Sequence, residues 1–133
     1  MRCRRVLSTV LRADQPMKHI LVIEDEPEVC EVICALLEDS GYTTVSASNG
    51  SVALDIVGQQ EFDLVLTDLV MPGMEGVETM AALRRVAPKL RVIAMSGIGS
   101  YLDMAKAVGA SMTLLKPFTR DQLVETVESV LAA

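Results

Sequence analysis

The chain has no tryptophan, and aromatics make up only 3% of its 133 residues. Little surface is left on which single-stranded nucleic acid could stack its bases. The core must therefore come from aliphatic side chains and the eight methionines. Cysteine occurs three times, at Cys3, Cys30 and Cys34. An odd count without paired spacing supplies no disulfide framework and predicts a reducing, cytoplasmic setting. Cys30 and Cys34 lie four apart on an expected helix. No further Cys or His motif accompanies them, so they read as small core residues rather than zinc ligands. No apolar run approaches the ~18–20 residues that cross a bilayer. Positive charge is scarce beyond the start of the chain. The net charge is −6, and the first 17 residues hold Arg2, Arg4, Arg5 and Arg12 against Asp14, which leaves the remainder at −9. An acidic body disfavours binding to nucleic-acid phosphates. It suits basic partners and divalent cations.

What is present is a regular alternation. Residues 1–17 read as an N-terminal tail without stable structure, and residues 18–133 as one folded domain. His19 to Ile23 is a continuous β-branched strand, buried on both faces. Pro27 suits the first turn of a helix, with Val29, Ile33, Leu36 and Leu37 at helical spacing and Gly41 as its stop. The only histidine, His19, sits at a strand start and reads as structural. Thr43 to Ala47 is a weaker strand that suits a sheet edge. Asn49 caps a helix reaching to about Gln59, with Val52, Leu54, Ile56 and Val57 as its apolar set. Leu64 to Thr67 is the third strand. Pro72-Gly73 turns the chain, and Glu75 begins a helix carrying Val77, Met80, Ala81 and Leu83, closed by Pro88. Arg91 to Met95 is the fourth strand. Leu102, Ala105 and Val108 mark a short helix stopped by Gly109. Met112 to Leu115 is the fifth strand, and Thr119-x-x-Gln122 is a capping box opening a helix lined by Leu123, Val124, Val127 and Leu131.

Five strands alternating with five helices predict an α/β fold, a doubly wound five-stranded parallel sheet covered on both faces. Of the common orders, the flavodoxin-like 2-1-3-4-5 suits five strands. Ligands of such sheets bind beyond the carboxyl ends of the strands. There the first strand ends in Glu24 and Asp25, the third in Asp68, the fourth in Ser96 and the fifth in Lys116. One strand-terminal Asp is weak evidence, since Asp favours turns. Four strands agreeing is strong.

Three clustered carboxylates raise one another's pKa unless cations intervene. At about 4 Å and an effective dielectric of about 20, one lysine–carboxylate pair contributes roughly 4 kcal/mol before desolvation. One lysine does not balance three carboxylates. A hard divalent ion such as Mg2+ fits the all-oxygen set. Asp25 and Asp68 would bind it directly, Glu24 directly or through water, and the Val70 carbonyl could add a ligand. Asp68, beside such an ion and Lys116, has the setting of a nucleophile that attacks phosphorus and becomes an acyl phosphate. Ser96 and Lys116 would hold the phosphoryl oxygens.

The runs Val22-Ile23-Glu24-Asp25-Glu26-Pro27, Asp68-Leu69-Val70-Met71-Pro72-Gly73-Met74-Glu75-Gly76, Ser96-Gly97 and Lys116-Pro117-Phe118 occur in one order. In this the chain resembles the receiver domain of two-component response regulators, over residues 18–133. The resemblance implies that Asp68 takes phosphate from a histidine of a sensor kinase or phosphotransfer protein. It also implies Mg2+ at Glu24, Asp25 and Asp68, the phosphate-linked hydroxyl at Ser96 and the phosphate-contacting lysine at Lys116. A protein of this kind is no enzyme beyond assisting its own phosphorylation and dephosphorylation. It switches a protein–protein surface or relays phosphate, through a downstream protein that the sequence does not name. The chain ends after the fifth helix, as in stand-alone regulators. It departs from the family at Thr113, where an aromatic switch residue often stands, and in a shortened Ser96–Lys116 interval. Tyr101 is the candidate substitute for that aromatic. Val70 and Ile98, two residues past Asp68 and Ser96, cannot orient water, which predicts slow hydrolysis of the phosphoryl group.

Three other readings fit less well. A haloacid-dehalogenase-type phosphohydrolase needs an Asp where Val70 stands. A flavodoxin-like cofactor carrier needs a Ser/Thr/Gly-rich loop in place of Glu24-Asp25-Glu26. A phosphorylation-independent, receiver-like adaptor would not need the complete set of Asp68, Ser96, Lys116 and the acidic pair.

Overall fold

The computed structural model describes residues 17–69 and 75–133. The first strand, β1 (His19–Ile23), is buried after its first residue: Ile20, Leu21, Val22 and Ile23 are all fully inaccessible. A run without alternation is what a strand covered on both faces requires. Helix α1 (Pro27–Asp39) follows, with Pro27 in its first turn, where the missing N–H has no intrahelical role. Gly41 then takes a φ of 99°, the left-handed conformation that ends helices. Strand β2 (Thr43–Ala47) is half-buried over Thr43 to Val45, exposed at Ser46 and buried only at Ala47. Helix α2 (Gly50–Val57) is capped by Asn49, whose side chain accepts from the Val52 N–H at 2.9 Å. Strand β3 (Leu64–Asp68) is buried at every position.

Helix α3 (Glu75–Val86), strand β4 (Arg91–Ser96), helix α4 (Gly99–Ala107), strand β5 (Met112–Leu115) and helix α5 (Arg120–Ala132) complete the described chain. Gly109, with a φ of 107°, stops α4 as expected. The capping box at the start of α5 is complete: Thr119 accepts from the Gln122 N–H, and the Gln122 side chain accepts from the Thr119 N–H.

The strands pair in parallel in the order β2-β1-β3-β4-β5, with β2 on the edge, as the pattern predicts. Side chains alternate between two cores. Ile20, Val22, Leu64, Leu66, Ile93 and Met95 pack with Cys30, Ile33 and Leu37 of α1 and Leu123, Val127 and Val130 of α5. Leu21, Ile23, Val65, Val92 and Ala94 pack with Ala53 of α2, Met80 and Leu83 of α3, and Leu102 and Ala105 of α4. Two helices thus cover one face and three the other.

The differences from the sequence expectation are local. β3 and β4 each run one residue further, so Asp68 and Ser96 belong to their strands. α2 ends at Val57, with Gly58 as its cap, short of Gln59. Its buried face is Gly50 and Ala53, whereas Val52 is 39% exposed. In α1, Cys30 takes a core place, and Val29 and Leu36 pack at its margin. The expected tail over residues 1–17, apart from Met17, lies outside the described residues, as do Val70 and the turn expected at Pro72-Gly73.

Candidate functional site

Strand register brings the polar residues together. Ile23 pairs with Thr67, so Glu24 follows beside Asp68. Asp68 pairs with Met95, the residue before Ser96, and Ser96 pairs with Leu115, the residue before Lys116. Four strands therefore end in step, and each delivers its polar side chain to one edge. The backbone locks them there. The Glu24 N–H donates to the Ala47 carbonyl at 3.0 Å, the Leu69 N–H to the Met95 carbonyl at 2.8 Å, and the Lys116 N–H to the Ser96 carbonyl at 2.9 Å.

Glu24 and Asp68 are each only 2% exposed and Ser96 is fully buried, while Asp25 stands in solvent. Lys116 reaches back from β5 across two strands. Its Nζ lies 3.2 Å from Glu24 Oε1 and 3.2 Å from Asp68 Oδ2. Carboxyl oxygens of Glu24, Asp25 and Asp68 all lie within 4.8 Å of one another. One ammonium against two buried carboxylates and a third nearby leaves the cluster short of positive charge. Glu24 shows this: its pKa is pushed up to about 7, by burial first and then by the hydrogen bond to Asp68 and that residue's charge, against the lowering pull of Lys116. Burial draws the Lys116 ammonium down, but the charges of Asp68 and Glu24 outweigh it, and the net shift is upward. Oxygen donors only, close spacing and a charge deficit fit a hard divalent cation such as Mg2+. Glu24, Asp25 and Asp68 are the residues that would hold it. The Val70 carbonyl, the fourth expected ligand, lies outside the described residues.

Ser96 Oγ accepts a hydrogen bond from the Ile98 N–H at 3.0 Å. One of its two acceptor sites is thus engaged, and the hydroxyl remains available as a donor. This amide was not visible as a partner in the sequence, because it belongs to the turn into α4 and carries no side-chain signature.

Cys30 is buried and Cys34 half-buried, both against the core under α1. Burial raises the pKa of both thiols, Cys34 to about 12. A thiol must lose its proton to bind zinc. Among the described residues the acidic trio is the one group that could hold a metal. His19 stacks on Phe62 at the opposite edge of the sheet, far along the strand from Glu24, in line with a structural role. Thr113 and Tyr101 are each half-buried, and Tyr101 packs against the core shared with α2, α3 and α4.

A doubly wound sheet with an acidic, cation-gathering cluster at its carboxyl edge is the class of protein that this fold and site define. Residues 20–128 match the response regulator receiver domain, and the chain belongs to that family. It is 36% identical over 117 residues to sporulation initiation phosphotransferase F of Bacillus subtilis (strain 168), covering 86% of this chain and 94% of that protein. It is also 36% identical to transcriptional regulatory protein ZraR of Escherichia coli (strain K12), over 85% of this chain but 26% of that protein, so it spans about a quarter of that relative. Among solved structures, response regulator protein TrrA of Thermotoga maritima in complex with Mg2+-BeF matches with a TM-score of 0.79 at 32% identity, covering 86% of this chain and 99% of that one. The chemotaxis response regulator CheY4 of Vibrio cholerae matches with the same TM-score at 28% identity and the same coverage. No helix of the described residues is long and apolar enough to cross a membrane.

Proposed function

We propose that the chain is a phosphorylation-dependent signalling protein of the cytoplasm whose Asp68 accepts a phosphoryl group from a phosphohistidine. The donor is a sensor kinase or a histidine phosphotransfer protein, and the outcome is a switched protein surface or onward relay of the phosphate. The observation that carries the reading is the Lys116 ammonium at 3.2 Å from both Glu24 and Asp68, over a buried strand end. The kinship with a phosphotransferase and with a receiver solved with Mg2+-BeF supports it.

In the transfer, an Asp68 carboxylate oxygen forms a bond to phosphorus as the P–N bond to histidine breaks. The electron pair of that bond stays on the imidazole nitrogen. Lys116 lies within reach of an oxygen of the arriving group, and its charge opposes the repulsion between phosphoryl and carboxylate. Ser96 donates a hydrogen bond from its hydroxyl to a second oxygen, while its Oγ accepts from the Ile98 N–H. Glu24, Asp25 and Asp68 would hold a divalent cation, which would supply the positive charge that the cluster lacks. The chain acts on no other substrate; it assists only the gain and loss of its own phosphoryl group. Ile98, 43% exposed, presents no polar side chain to an attacking water. Hydrolysis is accordingly slow, and a phosphoryl half-life of seconds in purified protein would contradict that part of the reading.

Phos-tag electrophoresis after incubation with acetyl phosphate and Mg2+ tests the proposal. Wild type shifts and Asp68→Ala does not. An unshifted wild type leaves the phosphorylation-independent adaptor.

A further inference from the structure

Glycine is a poor helix former, and alanine normally replaces it with a gain. Gly76 is nonetheless the second residue of α3 and is buried. Its φ is not positive, so backbone freedom does not explain it. Space does. A Cβ at Gly76 would lie 2.8 Å from Leu69 Cα, 3.0 Å from Leu69 Cδ2 and 3.4 Å from the Asp68 carbonyl oxygen. The nearest of these atoms is backbone, which does not swing aside as a side-chain end does. Leu69 is 2% exposed and its N–H is bonded to Met95, while Met80 and Leu83 hold α3 in the core. Gly99, which opens α4, makes a useful contrast: a Cβ there would meet nothing within 4 Å. Of these two helix openings, only that of α3, at its seam with β3, requires a bare backbone.

We propose that Gly76 is a positioning residue for Asp68. Its missing side chain lets α3 begin directly against the Asp68–Leu69 backbone, which keeps the Asp68 carboxylate in register with Glu24, Asp25 and Lys116. The inference rests on the reading of Asp68 as phosphoryl acceptor and cation ligand. An alanine at this position forces the seam apart, and the strand end carrying the carboxylate moves with it. Misplacement of a reacting group by a fraction of an ångström to an ångström is enough to slow transfer by about 10-fold or more.

The test compares full-length wild type, Gly76→Ala and Gly99→Ala. The rate of phosphoryl uptake from acetyl phosphate is read per folded molecule, with the folded fraction taken from circular dichroism. Mg2+ affinity is read separately by calorimetric titration. Gly76→Ala takes up phosphoryl groups about 10-fold or more slowly and binds Mg2+ several-fold more weakly, while Gly99→Ala matches wild type in both. Should Gly76→Ala be partly unfolded, both readings are repeated in trimethylamine N-oxide, which favours the compact state. A Gly76→Ala protein that melts lower but shows wild-type uptake and Mg2+ affinity per folded molecule overturns the proposal and leaves Gly76 a packing residue. If wild type takes up no phosphoryl group, the functional reading fails and the Mg2+ titration alone judges Gly76. Wild type that also binds no Mg2+ overturns both.

Discussion

At the amino ends of the strands, polar side chains satisfy one another. His19 stacks on Phe62 at 4.7 Å between centroids, and its ring nitrogens meet Thr43 Oγ1 and Gln60 Oε1. The His19 N–H donates to Asp63 at 2.7 Å, and the Arg91 guanidinium donates to the Val130 carbonyl at the end of α5. At the carboxyl ends the polar groups are more deeply buried and less well matched. Glu24 and Asp68 compete for one ammonium, and Glu24 is driven towards its neutral form. One edge of the sheet spends its polarity on holding the fold together. The other keeps a charge imbalance that a cation and a phosphoryl group can resolve. Stability and chemistry are thus segregated to opposite ends of the same strands.

The largest test of that division is Asp68→Asn. Phosphoryl uptake is lost completely, yet the metal-free protein melts no lower than wild type. With Asp68 neutral, Lys116 and Glu24 form a one-to-one pair in place of one cation against two buried anions. Thermal melts in chelator beside Phos-tag gels read both halves. A Tm several degrees below wild type would mean that the Asp68 carboxylate serves the fold, and the contrast between the edges would break.

The next effect is on pH. Glu24 moves from 4.5 to about 7 in the folded protein, so the native state binds more protons than the unfolded state across that window. Stability of the metal-free protein therefore falls as pH rises from about 4.5 to about 7. Lys116 adds nothing to this slope. Its raised pKa gives stability that is fully present below its ordinary value and is lost only in alkali. Melts across the window in chelator show the fall. Excess Mg2+ flattens or inverts it, because a bound cation favours the charged carboxylate, and Glu24→Gln flattens it without metal. A metal-free Tm that climbs from pH 5 to pH 7 would place the imbalance elsewhere.

Much of this edge was legible in the sequence because strand ends announce themselves. Glu24-Asp25 after an apolar run, Asp68 shortly before Pro72-Gly73, Ser96 before Gly97 and Lys116 before Pro117 each mark the end of a strand. Parallel pairing then aligns those ends without further information. Less legible was whatever depends on small or partnerless signals. Gly50 and Ala53 form the buried face of α2, where Val52 looked the better core candidate, because the close approach of Gly50 to the Thr79 side chain on α3 leaves room only for a hydrogen. Gly76 carried a hint, as a glycine in a first helical turn, but its reason is a neighbour in space. The Ile98 amide on Ser96 and the double reach of Lys116 are likewise matters of geometry.

At the opposite edge the effects are smaller and fall on stability alone. α5 has no basic residue in its last turn, and Arg91 of β4 serves instead, donating to the Val130 carbonyl. A charged donor at a helix C-terminus contributes roughly 1–2 kcal/mol. Arg91→Ala lowers stability by about that amount in denaturant melts and leaves phosphoryl uptake unchanged. A slowed uptake would show that the two edges are coupled along β4.

His19 offers the finest version of the comparison. Its ring lies 8° from parallel to Phe62, and its two nitrogens face neutral oxygens in a half-exposed setting. Hydrogen bonds that water can replace contribute little net stability, whereas the stacked area contributes regardless of the partner atoms. His19→Ala therefore loses about 1 kcal/mol, and His19→Phe, which keeps a ring against Phe62, recovers most of it. Both variants accept phosphoryl groups at the wild-type rate, because β1 runs its whole length between this ring and Glu24. If His19→Phe were as unstable as His19→Ala, the hydrogen bonds to Thr43 and Gln60 would be what ties β1 to its neighbours at this end. Polar matching, rather than apolar contact, would then govern both edges of the sheet.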